Sequence, residues 1–459
     1  MAATPMNAIG RAVRQLRGEG LAAHLIRGSV GTAALGFASK GLSLISGIIL
    51  GRSLGSAGYG YYAFAIAAVG FISIPAQLGL PPLIVREVAV GHARGEWSLL
   101  RGLRVRAGQI AAGSTLLGAI LLGGGMLIFA DRIAALDPLT FGIALLLLPL
   151  QVAMSIVGGF LRGLRRVVQG TWPSTLLQPM LYVLLLGFCA RWMTSAGAIS
   201  LNLVSTIVGS AVTIWLFCKY WPAQAREAPP EYRTCTWIAS LLPFTLIAGI
   251  NLFNQRSDIL LLGVLTSASH VGIYNVAIQG AMLVSFPLTI CDAMLAPNIA
   301  RLHAQDDHPR MQRLMTTSTL VISLASAGVT AALILTGRWL LPNLFGAGFA
   351  AAYPALVILA IGQFINSSTG PLGSFLTMTG NERSALTCTW MAALLNIALN
   401  LVLIPFFQTA GAAIATSLSL TVWNVMLGIQ VYKRVGILPG SIGWWNAKRR
   451  FHNAREVIE

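Results

Sequence analysis

GRSLGSAGYGYYAFAI at residues 51–66 recurs as GVLTSASHVGIYNVAI at residues 263–278. Gly51, Gly60, Tyr62, Ala65, Ile66 and Pro75 fall on Gly263, Gly272, Tyr274, Ala277, Ile278 and Pro287 at a constant offset of 212, the difference between 263 and 51. Further on, Leu80, Pro82, Ile84, Arg86 and Ala89 fall on Leu295, Pro297, Ile299, Arg301 and Ala304. There the offset is 215, the difference between 295 and 80, so the second copy has gained three residues after its shared proline. A duplicated, proline-bearing segment in a strongly apolar chain points to a transporter built from two similar halves.

Of 459 residues, 56% are hydrophobic and only 10% charged, a balance that excludes a soluble protein. A spanning helix needs about 20 mostly apolar residues. The sequence predicts twelve, at roughly 30–52, 60–82, 105–130, 139–161, 172–191, 196–218, 236–264, 271–300, 314–336, 352–378, 384–405 and 409–432. The expected architecture is an all-α polytopic membrane protein with two six-helix bundles, at 30–218 and 236–433. A cytoplasmic linker at 219–235, with Pro222, Pro229 and Pro230, joins them. Residues 1–29 and 434–459 are expected to be basic cytoplasmic segments. An even number of helices per half gives the copies parallel topology about an axis along the membrane normal, which suits alternating access around a central cleft.

Basic residues set the orientation. With the N-terminus inside, the inner segments collect Arg86, Arg94, Arg101, Arg104, Arg106, Arg162, Arg165, Arg166, Arg301, Arg310 and Arg313, among others. The outer side has only Arg52, Arg132, Arg191 and Arg338. The positive-inside rule then puts both termini in the cytoplasm. The net charge of +17 is mostly this asymmetry and calls for no nucleic-acid partner. The first 29 residues are long and basic and lead into a full-length span, unlike a cleavable signal. Ile9, Val13 and Leu16 share one helical face and Arg11, Arg14 and Arg17 another, which fits either a helix on the inner leaflet or an ordinary cytoplasmic tail. Trp444 and Trp445, followed by Lys448, Arg449 and Arg450, repeat the pattern at the C-terminus.

Little in the chain is enzymatic. Gly51-Arg52-Ser53-Leu54-Gly55 matches the nucleophile-elbow spacing but sits where a span meets a loop, not between a strand and a helix. The cysteines have no Cys-x-x-Cys spacing, the histidines have no metal spacing, and no outer loop is long enough for a catalytic domain. No cofactor is expected, apart from a proton or sodium ion as a candidate coupling ion.

Ionisable residues within spans are costly in hydrocarbon and tend to face a cavity or a partner. Lys40 is about 13 residues from the outer end of the first span, hence roughly 20 Å deep at 1.5 Å per residue. Arg256 is roughly 16 Å deep on the same arithmetic. The offset of 212 maps Arg256 onto position 44, one turn from Lys40 on the same helix face. If those faces line the cleft, the cleft is cationic; otherwise each cation pairs with a buried carboxylate or snorkels. Arg256 and Asp258, two residues apart, point to opposite sides of a helix. Asp292 maps onto Gln77 at the later offset of 215. Either aspartate could bind a coupling ion or be a structural hydrogen-bonding group. Asn251, Asn254, Gln255, Gln363 and Asn366 could line a wet cavity. Pro75 and Pro287, each removing a backbone donor in mid-span, are expected to kink equivalent helices as a hinge in each half.

The first loop, Gly51 to Gly55 and then Gly58-Tyr59-Gly60-Tyr61-Tyr62, resembles that of the polysaccharide transporter (Wzx-type flippase) family. Gly79-Leu80-Pro81 through Arg86, Asp258 through Gly263, Val271-Gly272-Ile273-Tyr274 and Pro297-Asn298-Ile299-Ala300 are similar to its other signatures, in order along nearly the whole chain. The resemblance implies the multidrug/oligosaccharidyl-lipid/polysaccharide exporter fold. It also implies movement of undecaprenyl-pyrophosphate-linked sugars (O-antigen, exopolysaccharide or capsule units) across a bacterial inner membrane, alongside other polysaccharide assembly proteins. The peptidoglycan-precursor flippase pattern has two further C-terminal helices that this chain lacks, so that substrate is not carried over. A pyrophosphate head is anionic and suits Lys40 and Arg256, while the polyprenyl tail stays among membrane lipids. The competing reading is a multidrug or cation antiporter, but such transporters favour acidic cavities.

Overall fold

The computed structural model describes residues 21–129 and 132–440, and among them no strand occurs. Helices are what the lipid demands, because each backbone N–H and C=O must find its partner within the chain. Helix α1 (Leu21–Gln77) begins well ahead of residue 30 and holds two rods, which meet at Gly55 with φ 67°. Next come α2 (Leu80–Arg94), α3 (Trp97–Phe129), α4 (Pro138–Gly163), α5 (Val167–Cys189), α6 (Ser195–Tyr220) and α7 (Thr234–Leu265). The chain continues through α8 (Ala268–Ala281), α9 (Phe286–Ala304), α10 (His308–Phe345), α11 (Tyr353–Thr369) and α12 (Leu372–Met378). Helix α13 (Glu382–Val435) again holds two rods, joined at Gln408 with φ 49° one turn after Pro405. Side-chain caps fix several starts: Asp137 accepts from Thr140 N, Thr194 from Gly197 N and Asp307 from Arg310 N, each at 3.0 Å.

Among the described residues, eight helices are individually long and apolar enough to cross a membrane, and α8 with the first part of α9 makes a bent ninth. With α1 and α13 resolved into two rods each and α7 added, the described chain makes the twelve passes expected. The polar segment between the repeats is packed rather than free. Glu231 N donates to Ser98 O at 3.0 Å and Arg101 Nη1 to Ala228 O at 2.8 Å, which ties it to α3.

Both proline-bearing spans are broken, but not alike. In the first copy the break follows Pro75, at Leu78 (φ 47°) and Gly79 (φ 67°). A side chain at Gly79 would run into Phe244 Cβ at 2.6 Å, so the break lies directly against α7. In the second copy the break between α8 and α9 precedes Pro287 and bends the axis by 52°. Pro287 therefore stands in the first turn of α9, where a missing N–H leaves no bond unmade. The expected equivalence of the two prolines as mid-span donors lost does not hold for Pro287.

A tyrosine shared by the repeats braces each half. Tyr62 Oη accepts from Asn202 Nδ2 at 3.0 Å, tying the second rod of α1 to α6. Its equivalent, Tyr274, donates to Asp258 Oδ2 at 2.7 Å and lies 3.1 Å from Thr416 Oγ1, tying α8 to α7 and α13. The main core runs through both halves and includes Phe64, Leu262, Tyr274, Phe345 and Phe349. A separate core of Leu295, Ile299, Met315, Phe375 and Val431 belongs to the C-terminal half alone, at its arginine-rich end.

Losing the Tyr274 hydroxyl leaves a buried carboxylate short of a donor. Tyr274→Phe should therefore lower stability by about 1–3 kcal/mol. The check is a thermal melt of purified protein in detergent, and an unchanged melting temperature would show that Asp258 does not depend on this bond.

Candidate functional site

Gly263 marks the face of α7 that meets the N-terminal half, because a Cβ there would lie 2.3 Å from the Phe64 ring. Arg256 is two turns earlier on that same face. Arg256 is half-buried and lies within electrostatic range of Asp258 and of the phenols of Tyr62 and Tyr59 in the opposite half. The ion pairs among the described residues are Arg86–Glu87, Arg94–Glu96, Arg233–Glu231 and Arg310–Asp307, and none involves Arg256 or Lys40. A charge carried into this position without a carboxylate at contact distance is expensive unless something else compensates it.

Lys40 also looks across the divide. It is exposed, and its Nζ lies 5.7 Å from the ring centroid of Phe286 at the start of α9. Phe37, one turn earlier, meets the same ring edge-on at 5.0 Å. Thus each half presents one cation toward the aromatic side chains of the other.

Asp258 turns the other way, as two-residue spacing on a helix requires. It is buried within the C-terminal half, where Tyr274 and Thr416 (3.2 Å) both donate to Oδ2 while Oδ1 has no hydrogen-bond partner. Next to it Ser257 donates to Asn396 Oδ1 at 3.2 Å, and Asn400 Nδ2 donates to the same oxygen at 3.0 Å. Asn400 Oδ1 is likewise buried and unpartnered. One carboxylate among neutral oxygens suits a proton or a monovalent cation, and no cluster of three or more His, Cys, Asp or Glu ligands occurs among the described residues.

The other expected polar residues scatter. Asp292 is half-buried in α9 with Oδ1 unpartnered, and its repeat equivalent Gln77 accepts from Ser155 Oγ at 2.8 Å. Gln363 and Asn366 lie in α11, where Asn366 Nδ2 donates to Gln363 at 3.4 Å and Asn366 Oδ1 accepts from Asn424 at 3.0 Å. That places them between α11 and α13. A cavity of ≈ 480 Å³ beside them, lined by Ser368, Thr369, Asn424 and Tyr432, contains none of the expected site residues. The side chains of Asn251, Asn254 and Gln255 lie outside the described residues, as do residues 1–20, Trp444 and Trp445.

Sequence reasoning missed an aromatic ladder. Tyr182, Tyr62 and Tyr59 stack at centroid spacings of 6.4 and 6.3 Å, and Phe349 meets Tyr59 edge-on at 6.3 Å. The recurrence of Tyr62 as Tyr274 was the available signal. Asn396 and Asn400, at i,i+4 in an apolar span, were another.

Residues 25–303, more than half of the chain, match the family described as polysaccharide biosynthesis protein. The chain belongs to that family. A probable low-salt glycan biosynthesis flippase of Haloferax volcanii, Agl15, is 22% identical over 429 residues, covering 92% of this chain and 86% of that protein. A probable flippase of the same organism, AglR, is 29% identical over 187 residues, covering 40% of this chain and 39% of its own length. A multidrug resistance MATE family transporter of the MOP superfamily, solved in an inward-facing conformation, superposes with a TM-score of 0.72 at 14% identity, covering 89% of this chain and 98% of its own. The lipid II flippase MurJ, in an inward closed conformation, gives 0.68 at 13% identity, with 88% and 87% covered. At these identities the likeness establishes the fold.

A cation without an ion-pair partner adds no stability by its charge, and a half-buried one costs some. Lys40→Gln should leave the melting temperature unchanged within about 2 °C, and Arg256→Gln should leave it unchanged or raise it. A fall as large as that of Tyr274→Phe would mark the charge as structural.

Proposed function

We propose that this member of the polysaccharide biosynthesis protein family is a flippase. It moves an undecaprenyl-pyrophosphate-linked oligosaccharide from the inner to the outer leaflet of the bacterial inner membrane, by alternating access of two six-helix halves at 30–218 and 236–433. The observation that carries this reading is Arg256, half-buried, with no carboxylate at ion-pair distance among the described residues and with its face toward the opposite half, together with Lys40 exposed across the same divide. A pyrophosphate entering between the halves meets two cations in a poorly screened setting, which offsets the desolvation of its charge. The sugars follow the head, and the polyprenyl tail remains in lipid. The Haloferax relative, a probable glycan biosynthesis flippase, supports the same substrate class.

In this reading Asp258 is the coupling group. Its unpartnered oxygen can take up a proton or a sodium ion, and Tyr274 and Thr416 would report that event to α8 and α13. Asp292, also with an unpartnered oxygen, is the alternative carrier. The competing function, a multidrug or cation antiporter, has the fold of the MATE neighbour behind it. Against it, Asp258 points into its own bundle and not between the halves.

The arginine-rich end is the cytoplasmic one in this proposal, with both termini and the 219–235 linker inside. A reporter fused at residue 225 should be active only as a cytoplasmic reporter; periplasmic activity there would overturn the orientation.

Deleting the gene should strand lipid-linked oligosaccharide on the inner leaflet and deplete the mature surface polymer. Reintroduced at matched membrane abundance, Lys40→Ala or Arg256→Ala should cut polymer output by about tenfold, the worth of one charge-assisted hydrogen bond. Lys40→Arg should retain more activity than Lys40→Ala, and Lys40→Glu should be worst. Normal polymer with new sensitivity to cationic drugs would instead favour the antiporter. Full activity in the double alanine variant would move the anion site elsewhere.

A further inference from the structure

The repeat relates Ser56 to Ala268 and Gly60 to Gly272, both at the offset of 212. The fold brings these four positions together across the two halves. A Cβ added at Gly60 would lie 1.7 Å from the Ala268 carbonyl oxygen, and one added at Gly272 would lie 2.1 Å from the Ser56 carbonyl oxygen. Each copy's glycine receives the other copy's carbonyl, which is the reciprocal contact of a two-fold axis. No residue but glycine fits either position in this arrangement. Ser269 Oγ donates to Ser56 Oγ at 2.9 Å beside the crossing. Arg52 closes the same end by donating to the carbonyls of Leu344 (2.8 Å) and Asn343.

The symmetry fails at one residue. The equivalent of Tyr59 is Val271, so only the first half supplies a hydroxyl. Tyr59 Oη accepts from Asn275 Nδ2 at 3.0 Å and from Gln279 Nε2 at 2.6 Å, both on α8. Tyr59 is 1% exposed and its two partners are half-buried, so parting the halves there breaks both bonds and leaves three polar groups to be rehydrated. Arg256 is in electrostatic reach of Tyr59, which puts the latch next to the candidate anion site.

We propose that the Gly60–Gly272 crossing, latched by Tyr59, is the gate of the arginine-poor side, and that it opens as one unit when the halves rock. The proposal rests on the alternating-access reading above. Backbone packed on backbone loses its contacts within a small separation, so the gate is either shut or open, with little between.

The test uses the full-length protein with its five native cysteines replaced. Ala67→Cys, buried and two turns from Gly60 on the same face, is the reporter. A membrane-impermeant maleimide added from the periplasmic side should label it slowly in the parent. Gly60→Ala and Gly272→Ala should each raise labelling by about tenfold, because the overlap is deeper than an overpacked core tolerates. Tyr59→Phe should raise it less. Ser56→Cys with Ser269→Cys should cross-link on oxidation and abolish polymer production, with recovery on reduction. Labelling unchanged in both glycine variants, or full production by the cross-linked protein, overturns the gate. If the glycine variants do not accumulate, the cross-link decides. Shifted labelling in a strain whose polymer never depended on the protein would uphold the gate and remove the glycolipid reading alone.

Discussion

The second rod of α1 and helix α8 touch through their backbones, and the placement of both halves follows from that contact. A carbonyl seated on a glycine holds two helix axes closer than any pair of side chains allows. Around it Tyr59, Phe64, Phe345 and Phe349 close into one core shared by the two copies. At the arginine-rich end the C-terminal half instead packs on its own residues, Leu295, Met315 and Phe375 among them. One end is shared and the other is divided, which is the geometry of a molecule with a single cleft.

Within each half, polar side chains are matched locally, as an apolar solvent requires. Tyr62 with Asn202, and Tyr274 with Asp258 and Thr416, are the duplicated form of one brace. At the offset of 212 Asp258 falls on Ser46, so the carboxylate is an addition of the second copy, and one of its oxygens has no partner. Among the groups left over, Arg256 and Lys40 have no ion-pair partner among the described residues, and Asp258, Asp292 and Asn400 each keep an oxygen without a hydrogen bond.

Much of this was legible in the residues. The offset of 212 located both copies, and two-residue spacing separated Arg256 from Asp258 before any contact was known. The hinge reading was less successful. Proline identity marks a weak point in a helix, but the second break forms ahead of Pro287, so the same residue type ended on different sides of its bend. Tyr59, Tyr62 and Tyr182 were passed over because an aromatic in a membrane helix ordinarily faces lipid, and nothing local marks one that stacks on a neighbour.

Composition, apolar run length and arginine spacing are properties of single segments in their solvent, so the sequence by itself determined the membrane environment, the twelve passes, the duplication and the lopsided charge. Which side chains meet is a pairwise matter. Asn202 reaches Tyr62 across 140 positions, and Gln279 reaches Tyr59 across 220. Lipid tails offer helices no directional preference, so those pairings come from close packing and hydrogen bonds between helices. Only the tertiary structure decided them, and with them the seal at one end and the unpaired cations at the divide.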